Sequence, residues 1–261
     1  MRNFKRIIYS VLALALASGC DLTNPKDPII VPEVSDEFYV DMWERLDGPL
    51  GRELIVKIES IEPERCLNYR IDHFFVRRGN RLQISLNSIV RPNDCISGDA
   101  TVKADVQIGS LPNGHHGMDI AFRNVVVNSG QLSINTESYL LDMKTEHGII
   151  LLREELLRVP NDAIWGYVEA VPAVAEQFTN DLALISRPAD GYRAGYYGHF
   201  TISTIDRKVF IHQQPSADVA TSFLYAYTGN ESTLKTLLNE YRQMYAGQMT
   251  IRLWNARGQE L

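Results

Sequence analysis

The sequence predicts a β-sandwich with immunoglobulin-like architecture, followed by a small α+β domain. Apolar and polar residues alternate in several short runs between residues 82 and 134, and this period of two is typical of half-buried antiparallel strands. Turn-forming sequences separate the runs. After about residue 158, strand-like runs begin to alternate with helical periodicity. We therefore predict a sandwich domain over residues 37–158 and an α+β domain over residues 159–261.

Each strand of the sandwich is predicted from a short run of residues whose alternate positions are apolar and so form one apolar face. The apolar positions are Leu82, Ile84 and Leu86; Val102, Ala104, Val106 and Ile108; Met118, Ile120 and Phe122; and Leu132 and Ile134. Turns are predicted at 77–80, 91–94, 111–117 and 128–130, where Gly, Pro, Asn and Asp cluster. The resemblance to immunoglobulins is architectural, because no Trp lies between Cys66 and Cys95 as it does in antibody domains.

The α+β domain is predicted to follow the order β-α-β-β-α-β, which is the ferredoxin-like arrangement. Strands are predicted at 163–170, 196–203, 221–229 and 249–256, with an additional strand at 208–213. Pro172 suits the first turn of a helix, and a second helix can be capped by Asn230 or Ser232 and ends before Gly247. The residues at helical spacing are Ala175, Phe178, Leu182 and Ile185, then Leu234, Leu237, Leu238, Tyr241 and Met244.

The N-terminal segment has the features of an export signal. Three basic residues, Arg2, Lys5 and Arg6, precede an apolar run at 7–17, which is shorter than the roughly 20 residues that span a bilayer. The residues Ala17-Ser18-Gly19-Cys20 that follow resemble the lipobox of bacterial lipoproteins.

This resemblance implies a protein that is exported and anchored by lipid in the bacterial cell envelope, on the inner or the outer membrane. Residues 1–19 would be removed as a signal peptide, and Cys20 would carry the lipid. Residues 20–36, which contain three prolines, are predicted to form an extended tether. The alternatives are a plainly secreted protein and a cysteine that follows a signal peptide by chance.

With Cys20 assigned to lipid, Cys66 and Cys95 remain in an oxidising compartment. We predict a structural disulfide between them, which stabilises the fold by about 3 kcal/mol. Two free thiols or a redox pair are the alternatives, although the sequence has no Cys-x-x-Cys spacing.

Charge argues against a nucleic-acid partner. Removing residues 1–19 takes away three basic residues and no acidic ones, which changes the formal net charge from −6 to −9. Binding to nucleic acid requires basic patches, and an acidic chain disfavours it.

No catalytic residue, metal site or cofactor is predicted. Ser232 and Lys235 match the Ser-x-x-Lys spacing of penicillin-binding enzymes, but the supporting motifs are missing. His115 and His116 are adjacent and point apart, so we expect a solvated turn there and not a metal site.

Tyr192, Tyr196 and Tyr197 are the candidate ligand contacts, because aromatic rings in an exposed loop can stack on sugars or anchor an interface. The alternative is that they pack inside the domain. Our leading hypothesis is a non-enzymatic binding or assembly module with an envelope protein or glycan as partner. The alternatives are a carbohydrate- or solute-binding lipoprotein of an uptake system, and an envelope hydrolase whose site is assembled from distant residues.

Overall fold

Two β-sheets pack face to face in the first part of the chain and enclose a shared apolar core. A computed structural model describes residues 37–49, 51–123, 125–213 and 220–261. The strands of this part are β1 (Phe38–Gly48), β2 (Gly51–Ser60), β3 (Glu64–Cys66), β4 (Arg70–Arg78), β5 (Arg81–Val90), β6 (Ser97–Ala100), β7 (Lys103–Gly109), β8 (Gly114–Phe122), β9 (Val126–Ile134), β10 (Ser138–Met143), β11 (Ile149–Leu151) and β12 (Glu155–Leu157). The predicted signal peptide, Cys20 and the tether lie outside the described residues.

The two sheets have the orders β11-β1-β2-β7 and β12-β10-β9-β8-β5-β4. Neighbouring strands are antiparallel except for the pairs β1–β11 and β5–β8. All the predicted apolar positions of the sandwich strands belong to the core between these sheets or pack against it. The sequence pattern therefore correctly predicted a β-rich, sandwich-like fold.

The predicted turns at 77–80 and 91–94 are confirmed as strand connections. The prediction of a turn at 128–130 is wrong, because these residues lie within β9. Asn128 lies inside β9 and is completely buried. Its side chain donates to the carbonyl of His147 at 2.8 Å and accepts from the amide of the same residue at 2.7 Å. Because the backbone of His147 provides hydrogen-bond partners for both ends of this amide, Asn128 can be buried within a strand.

The predicted disulfide between Cys66 and Cys95 is confirmed, with the two Cα atoms 5.4 Å apart. Cys66 ends β3, and Cys95 precedes β6, which pairs with β3 in a small two-stranded sheet. The bond therefore crosslinks the two strands of this small sheet.

The second part of the chain contains a four-stranded sheet with helices on one face. Its elements are β13 (Ala163–Glu169), α1 (Pro172–Ile185), β14 (Arg187–Pro188), β15 (Gly195–Tyr196), β16 (Phe200–Ile202), β17 (Val209–Ile211), β18 (Ala220–Ala226), α2 (Glu231–Met244) and β19 (Thr250–Asn255). The sheet order is β14-β18-β13-β19 with antiparallel neighbours. Neither described helix is long and apolar enough to cross a membrane.

Both predicted helices are confirmed. Residues of α1 and α2 share a core with one face of the sheet. At the start of α2, the side chain of Asn230 accepts a hydrogen bond from the amide of Ser232 at 2.9 Å. Gly247 follows the helix with φ of +76°, a conformation that favours glycine at a helix end.

The segments at 196–203 and 208–213 differ from the prediction. They contribute to a separate three-stranded sheet, β15-β16-β17. In the four-stranded sheet, the position beside β18 that was predicted for these segments is occupied by the short strand β14. Gly198 has φ of +80° and divides the first segment into two strands. The three-stranded sheet shares a second core with β13, β19 and the end of β1. The described residues from 37 to 261 form one compact unit, so the division at residue 158 stays a prediction.

Candidate functional site

A cleft of about 420 Å³ opens where the segment after β12 faces the loop before β15. We call it the arginine cleft. Its lining includes the residues Arg52, Arg158, Arg193, Asn161, Tyr192 and Tyr197. Three guanidinium groups thus converge on one surface of a protein whose formal net charge is negative.

A buried carboxylate lies behind the cleft. Glu44 on β1 has no solvent exposure, and its Oε1 accepts hydrogen bonds from the hydroxyl of Tyr139 at 3.0 Å and from Nε of Arg158 at 3.1 Å. Its Oε2 accepts from the amide of Val159 at 3.3 Å and lies 3.5 Å from Nη1 of Arg52. A buried charge is tolerated when it is paired and hydrogen-bonded, and both oxygens meet that condition.

The two arginines that contact Glu44 also reach the cleft. The Arg52 and Arg158 side chains are 18% and 21% exposed. Arg52 also donates to the carbonyls of Val159 and Ala256. Burial lowers the pKa of Arg52, and the charge of Arg158 lowers it further against the opposing effect of Glu44. Two cations share one anion, so Arg52, Arg158 and Glu44 together carry one excess positive charge.

Arg193 adds a third guanidinium at the rim. It donates to both carboxylate oxygens of Glu155, at 2.7 and 2.6 Å, and more than half of its side chain is exposed. Glu137 also lines the cleft and is exposed. Among the described residues, the lining therefore carries three guanidinium groups and one carboxylate, and Glu44 and Glu155 pair with these arginines from outside the lining.

The three predicted tyrosines do not form one exposed face. Tyr197 is 3% exposed, and its hydroxyl donates to the carbonyl of Arg193 at 2.7 Å. Tyr192 is half-buried and donates to Asp162 at 2.9 Å. Burial raises the pKa of Tyr197 to about 12 and also raises that of Tyr192. Both hydroxyls are therefore protonated near neutral pH, and their rings form part of the cleft wall.

Tyr196 lies outside the lining of the arginine cleft. Its ring stacks on His212 with centroids 5.2 Å apart, and the Arg153 guanidinium lies 4.0 Å from the ring centroid. Burial raises the pKa of Tyr196 to about 12, with a further contribution from Asp41. A role for these tyrosines in ligand contact stays a prediction, and the structure brings two of the three to the cleft.

His115 and His116 lie in β8, so the expectation of a solvated turn at these residues is wrong. His116 is buried, and its Nε2 donates to the carbonyl of Pro112 at 3.0 Å. His115 is exposed, with its Nδ1 2.9 Å from Oγ of Ser133. Strand alternation sends the two rings to opposite faces of the sheet. Within the described part of the chain, no group of three potential ligands is placed to hold a metal ion.

Sequence reasoning missed Glu44, Arg52 and Arg158. Glu44 is separated from Arg158 by 114 positions, so no local motif joins them. One signal was present: Phe38, Val40 and Met42 face the core at alternate positions of β1, and Glu44 continues their phase. A carboxylate at an apolar position of a strand predicts a buried partner, although the pattern does not identify that partner.

No protein-family model, curated protein or solved structure matches the chain.

Proposed function

We propose that the protein is a non-enzymatic, lipid-anchored component of the bacterial cell envelope that binds an acidic group of a partner protein in the arginine cleft. The observation that carries the proposal is that Arg52 and Arg158 share one buried carboxylate, that of Glu44, and both line an open cleft. The lipobox-like residues before Cys20 support the anchor.

The chemistry of the lining favours a carboxylate. A guanidinium group presents planar, paired N–H donors that match carboxylate geometry. Glu44 and backbone carbonyls hold Arg52 and Arg158 in place, so little side-chain entropy is lost when a ligand binds. An acidic side chain on a partner would supply the negative charge that the Glu44 network lacks.

A carbohydrate- or solute-binding role in an uptake system is the second candidate. It is favoured by the rings of Tyr192 and Tyr197 in the cleft wall, since tyrosine rings pack against sugar rings and their hydroxyls form hydrogen bonds.

We also propose that residues 37–158 have immunoglobulin-like architecture and residues 159–261 a ferredoxin-like arrangement. Support for the second assignment comes from the antiparallel sheet order β14-β18-β13-β19, with α1 following β13 and α2 following β18.

The proposal is tested by crosslinking the intact lipoprotein in living cells and identifying what is captured with it. Asn161→Asp adds a negative charge to the exposed lining without removing a contact of Glu44. Asn113→Asp makes the same change at an exposed turn and is the matched control. We expect Asn161→Asp to reduce recovery of the partner about tenfold, because like charges repel at an interface, and Asn113→Asp to leave it unchanged.

A Cys20→Ala form tests the anchor in the same experiment, and it should lose the partner if assembly requires the membrane. Equal recovery with Asn161→Asp and Asn113→Asp would exclude the arginine cleft as the binding site.

A further inference from the structure

A second pocket, separate from the arginine cleft, gathers every tryptophan of the chain. The sequence contains three tryptophans, and all of them line a cavity of about 180 Å³. We call it the tryptophan pocket. Its lining includes the residues Trp43, Trp165, Trp254, His199, Asp47 and Gln213.

Strand pairing places the indoles together. Trp165 on β13 lies directly opposite Trp254 on β19, and both are at most 9% exposed. Trp43 is half-buried on β1. Gly198 allows the three-stranded sheet to approach Trp43 closely, since a Cβ atom at this position would lie 2.7 Å from Cδ1 of the indole. The pocket therefore has an aromatic interior, and the lining residue His199 directly follows Gly198.

His199 contributes a hydrogen-bond acceptor. Its Nε2 lies 2.8 Å from the backbone carbonyl of Glu44, and because a carbonyl only accepts, Nε2 must carry the hydrogen. Burial lowers the pKa of His199 to about 4, so the ring is neutral near pH 7 and Nδ1 keeps a lone pair. The ring centroid lies 4.9 Å from that of Trp43 and 5.6 Å from that of Trp165.

Polar groups lie near the opening. Asp47 and Gln213 are exposed, and Asp47 is the charged side chain among the described lining residues. Lys57 lies over the Trp43 ring, 4.6 Å from its centroid, but does not belong to the lining. The pocket therefore combines an aromatic interior with a carboxylate, an amide and an imidazole.

We infer that the tryptophan pocket binds a single pyranose ring of a neutral glycan. A cavity of about 150 Å³ holds one benzene molecule, so about 180 Å³ admits one six-membered ring if its hydroxyl groups lie at the opening, beside Asp47 and Gln213. A pyranose has apolar C–H faces that pack against indoles and a hydroxyl edge that pairs with polar groups. A purely apolar ring would leave Asp47, Gln213 and Nδ1 of His199 without partners as they lose water. The carboxylate of Asp47 disfavours an acidic sugar.

Indole emission reports directly on this inference, because all the tryptophans line the pocket. The test titrates the intact lipoprotein, in a detergent without a sugar head group, with the methyl glycosides of glucose, galactose, mannose and N-acetylglucosamine. Benzyl alcohol is the apolar comparison. We expect a saturable change in tryptophan emission with at least one glycoside, and weaker binding of benzyl alcohol.

Asp47→Asn should weaken the glycoside at least fivefold, because a carboxylate accepts stronger hydrogen bonds from hydroxyl groups than an amide does. Asp94→Asn, at an exposed position outside the lining, should leave binding unchanged. If a variant fails to fold, the titration of the wild-type protein still tests whether the pocket binds a glycoside. The inference is overturned if no glycoside gives a saturable change at 100 mM, or if benzyl alcohol binds as tightly as the glycosides and Asp47→Asn has no effect.

Discussion

Glu44 and Arg158 lie 114 positions apart in the chain and form a 3.1 Å ion pair whose carboxylate is completely buried. Glu44 belongs to β1, and Arg158 directly follows β12. The pair therefore joins the sandwich to the segment that leads into β13. It also holds one guanidinium at the wall of the arginine cleft, so the same contact supports both the fold and the proposed site.

Replacing Glu44 by glutamine should lower the free energy of unfolding by about 3 kcal/mol, because Arg52 and Arg158 lose their shared anion. Urea denaturation measures the change. Glu64→Gln is the matched control: Glu64 pairs with Arg91, which is 59% exposed, and such surface pairs contribute about 1 kcal/mol or less. Equal effects of the two substitutions would show that the buried pair contributes no more to stability than the surface pair.

Stability should fall as the pH is lowered from about 6.5 to about 4, partly because of His199. Its folded pKa is about 4, whereas an unfolded histidine has a pKa of about 6.5. Between these values the unfolded chain binds more protons, so unfolding becomes easier by up to about 3 kcal/mol. The charged and titratable groups around the ring include Lys57, Asp47 and His212.

Denaturation of wild type and His199→Gln across this pH range isolates the contribution of His199. The variant should show a flatter pH dependence. His115→Gln, at an exposed position outside the pocket, should keep the wild-type dependence. Parallel curves for His199→Gln and wild type would contradict the assignment.

Breaking the bond between Cys66 and Cys95 should destabilise the protein by about 3 to 4 kcal/mol, because the unfolded chain gains the freedom of the closed loop. The residues are 29 positions apart. The Cys66→Ser and Cys95→Ser double variant, unfolded in urea, measures the effect. An unchanged urea midpoint relative to the oxidised wild type would contradict it.

Asn230→Ala should cost about 1 kcal/mol of stability, because Asn230 provides the side-chain cap of α2. Ser232→Ala removes the other residue that the sequence offered as a cap and should change stability by less than about 0.5 kcal/mol. Thermal unfolding followed by circular dichroism distinguishes the two. A larger loss for Ser232→Ala would place the cap at Ser232.

Elements with a regular apolar period were predictable, since burial of one face decides both their type and their orientation. The run through Leu82 and Leu86 and the helix through Phe178 both follow this rule. The loop and strand boundaries around Gly195 and Gly198 were not predictable in the same way. There, positive φ values and contacts with Leu157 and Trp43 decide the path of the chain.

The candidate sites were less predictable than the fold. Tyr192 and Tyr197 were identified as aromatic residues of one loop, which also contains Arg193. The other two arginines of the cleft come from β2 and from the segment after β12. Glu44 meets Arg158 only because the sheets pack together, and the two residues are more than a hundred positions apart in the chain. A single sequence carries no local signal that identifies such a partner.

Site-specific photocrosslinking tests binding in the arginine cleft most directly. A photoreactive amino acid is placed at Thr136, an exposed residue of the lining, and in a control at Gln131, an exposed residue of β9 outside it. We expect a discrete crosslinked partner from position 136 in living cells, no such product from position 131, and loss of the product when Asn161→Asp is added. Absence of a product at position 136, or the same products from both positions, would contradict it.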